Sequence, residues 1–470
     1  MVGDHKRQKR KRIGVRLIIP FVLIGLAVVL MLLVGGHFIL EYLTPAKTTD
    51  PTIFTTLATE PVPSITTEPP ASIPATEPPV KKVSTATIGS TGDILLHKRV
   101  IKSGYDSATG TYNYESMFSY FAEYVSRMDY AIGNLEVTLC SDDNGYEYSG
   151  YPCFNAPDAI VDAAKAAGFD MLLTANNHSY DTGKKGFLRT QEVIVERELD
   201  YTGTRYKEED KNYIVREING IKFGMICYTY NTGVNSDGVI SLNGITLDAK
   251  SSGLINSFNY GALDSFYSKL SGEMEEMKAA GAEVIMVYLH WGEEYQTSAN
   301  RTQKKMAQAL CDLGVDVIVG NHPHVPQPVE LLTGTGNEAQ KTLCLYSMGN
   351  SLSNIRGSKY PKETEDGLLF QVTFAKYSDG TVVLESTDVL PTWVNRYTEN
   401  GATRYEILTM DRNEKDKWQE KMDLSDELLA SCQASYDRTM AIVGEGLNVA
   451  NAYYSQHQTE VENQIGVKEQ

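Results

Sequence analysis

The stretch VDVIVGNHPHVPQPVE, residues 315–330, places the strongest constraint on the fold. It opens with a β-branched apolar run, Val315 to Val319, of the kind that forms a strand buried on both faces. His322-Pro323-His324 follows at once, and proline cannot continue a helix because it lacks an N–H group and has a fixed φ. The sequence therefore predicts a histidine loop at the carboxyl end of a strand, where open α/β sheets place their sites. Alone, the pair is explained equally well as solvated loop histidines or as metal ligands.

Apolar strands alternate with helical patterns over much of the chain from residue 84 onward. The clearest unit is Glu283–Val319, in which the strand EVIMVYL, a helix over Arg301–Leu313 and a second strand follow one another. Such alternation predicts parallel strands joined by right-handed crossovers. The crossover places His290, at the end of the first strand, beside the two histidines of the loop. The polar segment Asn231–Asn256 predicts a long loop over this edge of the sheet.

Donor-rich side chains end five of the predicted apolar strands. They are Asp93, Asn134, Glu136, Asn177, His178, His290, His322 and His324. Each has an ordinary alternative role, as a turn former or a hydrogen-bonded core residue, but five such ends in order favour one clustered site. Carboxylates, amides and imidazoles suit Mn, Zn or Fe better than Ca, and two ions roughly 3.5–4 Å apart could share a bridging carboxylate. The sequence thus predicts a divalent metal site with one or two ions.

The first 83 residues have the composition of an anchor and a spacer. Residues 1–16 carry seven basic side chains and one acidic one, and residues 17–40 are apolar apart from His37. About 20 apolar residues span a bilayer, and a preceding basic cluster predicts a cytoplasmic N-terminus. A secretory signal peptide is the alternative. Residues 41–83, rich in Pro and Thr, predict a disordered stalk. We therefore expect a single-pass protein of the cell membrane with an extracellular main domain.

Charge and cysteine content exclude two further classes. The formal net charge is −17, and residues 17–470 alone carry 36 basic and 59 acidic side chains, which argues against nucleic-acid binding. Six cysteines in 470 residues do not form a disulfide scaffold. Cys140 and Cys153 flank a polar loop, and a bridge between them is left open.

The ordered motifs resemble the capsule-synthesis CapA family, which is associated with poly-γ-glutamate synthesis and export and is related to calcineurin-like metallophosphoesterases. They are Gly92-Asp93, Asn134-Leu135-Glu136, Ala175-Asn176-Asn177-His178 with Asp181-x-Gly183, His290-Trp291-Gly292-x-Glu294 and Gly320-Asn321-His322-Pro323-His324-Val325-x-Gln327. The resemblance implies an α/β fold, a four-layer αββα metallophosphatase-like sandwich. We expect it at 84–395, followed by a mostly helical extension at 396–470.

The resemblance also implies roles for individual residues. The implied metal ligands are Asp93, Glu136 as the bridging carboxylate, Asn177, His290, His322 and His324. The implied catalytic residues are His178, which contacts the substrate or protonates the leaving group, and Asp181, which orients it. We expect substrate contacts from Asn134, His97, Trp291 and Glu294. The phosphoesterase pattern has Asp-x-His in its first motif, whereas this chain has Asp93-Ile94-Leu95 and the next histidine is His97.

Three functions follow as expectations. The first is a membrane-anchored component of capsule, poly-γ-glutamate or related surface-polymer synthesis or export. Its expected partners are the membrane, other membrane components of such a complex and an anionic surface polymer. The second is an extracellular metal-dependent phosphoesterase or other hydrolase. The third is a non-catalytic polymer-binding module, favoured by the missing histidine of the first motif and by the 28 tyrosines.

Overall fold

Two mixed β-sheets lie at the centre of the computed structural model, which describes residues 80–141 and 145–465. The first sheet has the strand order β20-β19-β18-β1-β4-β5-β6, with β17 also paired to β1. The second has the order β12-β8-β13-β14-β16-β15, with β7 paired to β8. Two small sheets, β11-β10-β9 and β2-β3, complete the strands of the described residues.

The strand bounds follow in chain order. They are β1 Lys82–Ile94, β2 Tyr105–Asp106, β3 Thr111–Tyr112, β4 Tyr130–Leu135, β5 Met171–Leu173, β6 Asp200–Thr202, β7 Ile214–Ile218, β8 Ile221–Tyr230, β9 Gly233–Val234, β10 Ile240–Leu242, β11 Ile245–Thr246, β12 Ser257–Phe258, β13 Val284–His290, β14 Val317–Asn321, β15 Val329–Gly334, β16 Asn337–Leu345, β17 Asn350–Leu352, β18 Asp366–Tyr377, β19 Val382–Glu399 and β20 Ala402–Thr409.

The helix bounds follow in the same way. The α-helices are α1 Lys98–Ser103, α2 Ser119–Val125, α3 Ala159–Ala167, α4 Gly183–Glu196, α5 Ala249–Leu254, α6 Leu263–Ala279, α7 Arg301–Leu313, α8 Trp418–Lys421 and α9 Asp426–Ile465. Short 3₁₀ turns occupy Glu115–Phe118, Lys362–Glu365 and Arg412–Lys417.

Alternating side chains divide the apolar residues into layers. Along β8, Phe223, Met225 and Cys227 belong to a core shared with the first sheet, while Ile226 and Tyr228 face the other way, toward α6 and α7. The outer face of the first sheet packs against α1 to α4. This alternation is what the two-residue period of a strand requires when both faces are covered. The described residues thus form a mixed α/β sandwich with helices outside both sheets.

The predicted crossover unit is confirmed. β13 and β14 are parallel neighbours, with His290 opposite Asn321 in the register, and α7 connects them. α7 begins at Asn300, whose side chain accepts the Gln303 N–H in a capping box, and ends at Gly314 in the left-handed conformation. The carboxyl ends of β13 and β14 therefore meet at one edge.

The C-terminal region differs from the prediction. β19 extends to Glu399 and β20 follows it, so the expected boundary between 395 and 396 falls inside a strand and the predicted extension begins with sheet. The long helix α9 comes later and contributes Val443, Leu447 and further residues to the core between the sheets. A Cβ atom at Gly446 would lie 1.8 Å from the Val329 carbonyl oxygen, so glycine allows α9 to approach β15 closely.

Two other expectations meet the structure differently. The segment predicted as a loop, residues 231–256, contains the small sheet β9 to β11 and α5. Cys140 and Cys153 are both free thiols.

The predicted anchor lies outside the described residues. The basic tail at 1–16, the membrane helix at 17–40 and nearly all of the stalk at 41–83 precede residue 80, whereas residues 82 and 83 already belong to β1. Among the helices between residues 80 and 465 that the structure describes, none is both long and apolar enough to cross a bilayer.

Candidate metal centre

Glycines allow the carboxyl ends of the strands to converge. A Cβ atom at Gly92 would lie 1.9 Å from the Gly349 carbonyl oxygen, and one at Gly320 would lie 1.9 Å from the Tyr346 carbonyl oxygen. Only glycine permits backbone contacts this close. As a result Asp93 on β1 and Glu136 after β4 reach the histidines that end β13 and follow β14.

The converging side chains form two groups that share Glu136. We define the first donor group as Asp93, Glu136 and His324, and the second donor group as Glu136, His290 and His322. Within each group the candidate ligand atoms all lie within 4.8 Å of one another, and all five side chains are buried. Glu294, which is exposed, forms a further group with His322 and His324. The arrangement is that of two adjacent cation positions with one carboxylate between them.

In the second donor group, His290 occupies the centre. Its Nε2 atom lies 2.6 Å from Asn177 Oδ1 and 3.5 Å from Glu136 Oε1. The rings of His290 and His322 are 4.8 Å apart, and the Tyr230 hydroxyl lies 3.4 Å from His322 Nε2. Asn177 therefore brings an amide oxygen to this group, as the sequence predicted.

In the first donor group, Asp93 is held by two neighbours. Asn134 donates its Nδ2–H to Asp93 Oδ1 at 2.7 Å, and His324 Nδ1 lies 2.9 Å from Asp93 Oδ2. His324 Nε2 lies 3.9 Å from Glu136 Oε1. Asn134 thus orients a candidate ligand.

Burial dominates the electrostatics of Glu136, His290 and His322. Burial, reinforced by the charge of Asp93, raises the pKa of Glu136 well above its usual value. Burial also lowers the pKa of His290 to about 3, and, together with the neighbouring His290, lowers that of His322 well below its usual range. Neutral imidazole is the form that binds a metal.

The Asp93–His324 pair behaves in the opposite way. Burial opposes the charged form of each, but the hydrogen bond and charge of the partner outweigh it. The pKa of Asp93 is therefore lowered and that of His324 is raised. Each partner stabilises the charge of the other.

The residues fit a divalent cation. Among the described residues, neither carboxylate oxygen of Glu136 has a hydrogen-bond donor, and Nδ1 of His290 and of His322 also lacks a partner. A buried carboxylate without donors is costly, by several kcal/mol, unless a cation or a proton compensates it. Oxygen and nitrogen donors in this mixture are those of Mn, Zn or Fe sites.

The histidine loop has a strained backbone. φ is +95° at His322 and +56° at His324, a region that non-glycine residues seldom adopt. Such a conformation costs on the order of 1–3 kcal/mol and tends to occur at functional sites. The fold thus stabilises a backbone that holds both imidazoles at the same edge of the sheet.

His178 and Asp181 form a pair beside the donor groups. His178 Nδ1 lies 2.7 Å from Asp181 Oδ2, which also accepts the Phe154 N–H at 2.6 Å. The Phe154 ring packs edge-on against the imidazole, with centroids 4.6 Å apart. Asp181 therefore orients His178 and favours the proton on Nδ1, which leaves Nε2 available for a ligand.

Asn243 reaches the same place and was not predicted. It lies in the turn between β10 and β11, where its Nδ2 is 3.5 Å from His178 Nε2 and its Oδ1 accepts the Asn177 side-chain N–H at 3.2 Å. φ is positive at both Asn243 and Gly244. Asn-Gly between apolar residues is a strong hairpin signal that could have identified the turn.

Three of the four residues predicted to contact the substrate make other contacts in the structure. The prediction for Trp291 is wrong, because its ring is fully buried in the core outside the second sheet and its N–H bonds the Tyr346 carbonyl at 3.0 Å. Asn134 is occupied by Asp93. His97 lies outside both donor groups, with Nδ1 accepting the Asn354 N–H at 3.3 Å and burial lowering its pKa to about 4. Glu294 alone is exposed next to the histidine loop.

Residues 87–355 match the family described as bacterial capsule synthesis protein PGA_cap. The match covers more than half of the chain, and the protein belongs to this family.

Two curated relatives are similar over most of the chain. The capsule biosynthesis protein CapA of Bacillus anthracis is 28% identical over 347 residues, which is 72% of this chain and 76% of the relative. The PGA biosynthesis protein CapA of Bacillus subtilis (strain 168) is 26% identical over 346 residues, 72% of this chain and 82% of the relative.

Solved structures are only distantly similar. The sulfate thiohydrolase SoxB of Thermus thermophilus, in complex with glycerol, gives a TM-score of 0.34 at 12% identity, covering 70% of this chain and 47% of that one. The purple acid phosphatase PPD1 of yellow lupin gives 0.33 at 11% identity, covering 66% and 54%. Likenesses at this level say nothing about the chemistry of this chain.

Proposed function

We propose that this protein is a membrane-anchored component of capsule, poly-γ-glutamate or related surface-polymer synthesis or export, whose extracellular domain uses a divalent metal centre. Family membership supports the pathway. The basic residues 1–16, the apolar residues 17–40 and the Pro/Thr-rich residues that follow support the anchor and an extracellular domain. An anionic surface polymer and other membrane components of the pathway are the partners this function implies.

One observation carries the metal centre. Glu136 is fully buried, has no hydrogen-bond donor among the described residues and belongs to both donor groups. Asp93, Asn177, His290, His322 and His324 would hold one or two ions with it. Such ions, Mn, Zn or Fe, would supply Lewis-acid catalysis there.

A second candidate is hydrolysis of a phosphoester or another polar bond. The His178–Asp181 pair favours it, because an oriented imidazole beside a metal centre can hold or transfer a proton at Nε2. In this role Asp181 holds the His178 ring in place, and Asn243 covers it from the hairpin.

Complementation of a gene deletion tests the proposal. Cells lacking the gene are supplied with the wild type, with Glu136→Gln, with His178→Ala or with a variant lacking residues 1–40. We expect the wild type alone to restore the surface polymer. Glu338→Gln, which changes an exposed acid on β16, is the matched control and should also restore it.

Each alternative result has a meaning. Unchanged polymer in the deletion strain would refute the pathway. Full restoration by the variant lacking residues 1–40 would refute the anchor. Restoration by Glu136→Gln would refute the need for a metal, and restoration by His178→Ala alone would favour a polymer-binding module over a hydrolase.

A further inference from the structure

Asn350 lies at the first donor group, although nothing in the motif pattern marks it. It begins β17, which runs parallel to β1 with Asp93 and Asn350 opposite each other in the register. Its side chain is fully buried. The Asp93 N–H donates to the Gly349 carbonyl at 3.0 Å, so the two segments are bonded directly beside the site.

The hydrogen bonds of Asn350 fix the orientation of its amide. Nδ2 donates to the His324 carbonyl at 3.1 Å and to the Thr364 carbonyl at 3.0 Å. Both amide hydrogens are thereby used. The opposite orientation would place an oxygen against two carbonyl oxygens, so Oδ1 is the atom that faces the site.

Two oxygen atoms approach the same imidazole nitrogen as a result. Asn350 Oδ1 lies 3.1 Å from His324 Nδ1, and Asp93 Oδ2 lies 2.9 Å from the same nitrogen. Ligands about 2.1 Å from a transition metal and at right angles to each other are about 3 Å apart. The spacing is therefore that of neighbouring ligands around one ion.

The second donor group contains a similar contact between an amide oxygen and an imidazole. There, Asn177 Oδ1 lies 2.6 Å from His290 Nε2, beside the shared Glu136. Each group then contains an amide oxygen next to an imidazole.

We propose that Asn350 is a metal ligand, through Oδ1, of the first donor group, and that the cation is a divalent transition metal that accepts mixed oxygen and nitrogen donors. This inference rests on the metal centre proposed above. It assigns a ligand on β17, a strand outside the predicted set of donors. The asparagine also binds the His324 carbonyl, so one side chain would position both the metal and the strained histidine loop.

Mn²⁺ titration of the full-length protein tests this ligand. The protein is purified in detergent, stripped with a chelator and titrated by calorimetry, with electron paramagnetic resonance counting bound ions. We expect two ions in the wild type. Asn350→Ala should weaken one of them at least 10-fold while the other is retained. Asn395→Ala, a buried asparagine on β19 away from both groups, is the matched control.

Asn350→Asp separates ligation from structure. It keeps an oxygen in place but loses both hydrogen bonds to carbonyls, so a ligand role predicts Mn²⁺ affinity equal to or above that of the wild type. A purely structural role predicts that Asn350→Asp loses the ion as Asn350→Ala does, and this result would overturn the inference. Wild-type affinity and stoichiometry in Asn350→Ala would overturn it as well. A wild type that binds no Mn²⁺, Zn²⁺ or Fe²⁺ would instead refute the proposed metal centre itself.

Discussion

The two ends of the β13–β14 pair adjoin acids in different environments, a half-buried aspartate and a fully buried glutamate. At the amino end, Asp316 precedes β14 and its Oδ2 accepts the Ile285 N–H at 2.7 Å. At the carboxyl end, Glu136 lies beside His290 with no donor for either oxygen among the described residues. The amino end of this strand pair therefore adjoins a carboxylate that has a hydrogen-bond donor. The carboxyl end adjoins a carboxylate that has none among the described residues.

The backbone conformation also differs between the two ends of the β13–β14 pair. Val317 to Val319 are regular strand residues, fully buried, whereas His322 and His324 have positive φ. The amino end is satisfied within the fold, whereas the carboxyl end has polar atoms without partners among the described residues and a strained backbone. This difference supports the proposed metal centre at the carboxyl end, because strain and unpartnered buried polar atoms tend to occur at functional sites.

Glu136→Gln should give the largest effect. We expect Mn²⁺ affinity to fall on the order of 100-fold or more, because the shared carboxylate is lost from both donor groups. The control is Asp316→Asn, at the other end of the strands, which should bind Mn²⁺ like the wild type. Equal loss in both variants would show that the effect is one of folding.

The same variant should stabilise the metal-free protein. The pKa of Glu136 is raised in the fold, so its contribution to stability is present at low pH and is lost as the pH rises above the value of an unfolded glutamate. In chelator at pH 8, Glu136→Gln should therefore unfold at a higher denaturant concentration than the wild type, and near pH 4 the two should coincide. A less stable Glu136→Gln at pH 8 would contradict this account.

Asp316→Asn should have a smaller effect, which appears as a change in how the free energy of unfolding depends on pH. Burial, partly offset by the Ile285 N–H, raises the pKa of Asp316 to about 6. The wild type should therefore lose stability as the pH rises from about 4 to about 6. The amide can still accept the Ile285 N–H, so above pH 6 the variant should be more stable by about 1–2 kcal/mol. Denaturant titrations of the wild type and Asp316→Asn at pH 4 and pH 7 measure the difference in their free energy of unfolding. The same difference at both pH values would refute the prediction.

Substitution by glycine rather than alanine should change the free energy of unfolding by about 1 kcal/mol at His322 and at Val317, with opposite signs. His322→Gly should be more stable than His322→Ala, because alanine is strained at φ +95°. Val317→Gly should be less stable than Val317→Ala, because glycine weakens a regular strand. Thermal unfolding in chelator compares the pairs. If the alanine variant were the more stable one at both positions, backbone strain at His322 would be refuted.

Some parts of the fold and the site can be predicted from the sequence, and others cannot. The parallel unit around α7 and the convergence of Glu136, His290 and His322 follow from strand patterns and motif order. Asn350 and Asn243 could not be assigned in this way, because their roles depend on which strand pairs with β1 and on where a hairpin folds. Pairing between distant segments leaves no local periodicity to detect.

Trp291 shows the opposite error. It is adjacent to His290 in sequence, but successive side chains at a strand end point to opposite sides, so its ring enters the core outside the second sheet. The boundary near 395 fails for a related reason. β19 and β20 lack a strong apolar run there, and they belong to the sheet because β19 pairs with β18 and β20 pairs with β19.

The position of α9 has a consequence for the order in which the protein can mature. Its residues Val443, Leu447, Ala450 and Tyr454 occupy the core between the sheets, and Gly446 rests on the backbone of β15. During synthesis these residues appear more than 300 positions after β1. The interior between the two sheets therefore cannot be closed by the nascent chain until Tyr454 has been added. Segments such as β18, rich in apolar residues, must until then be kept from pairing with other chains.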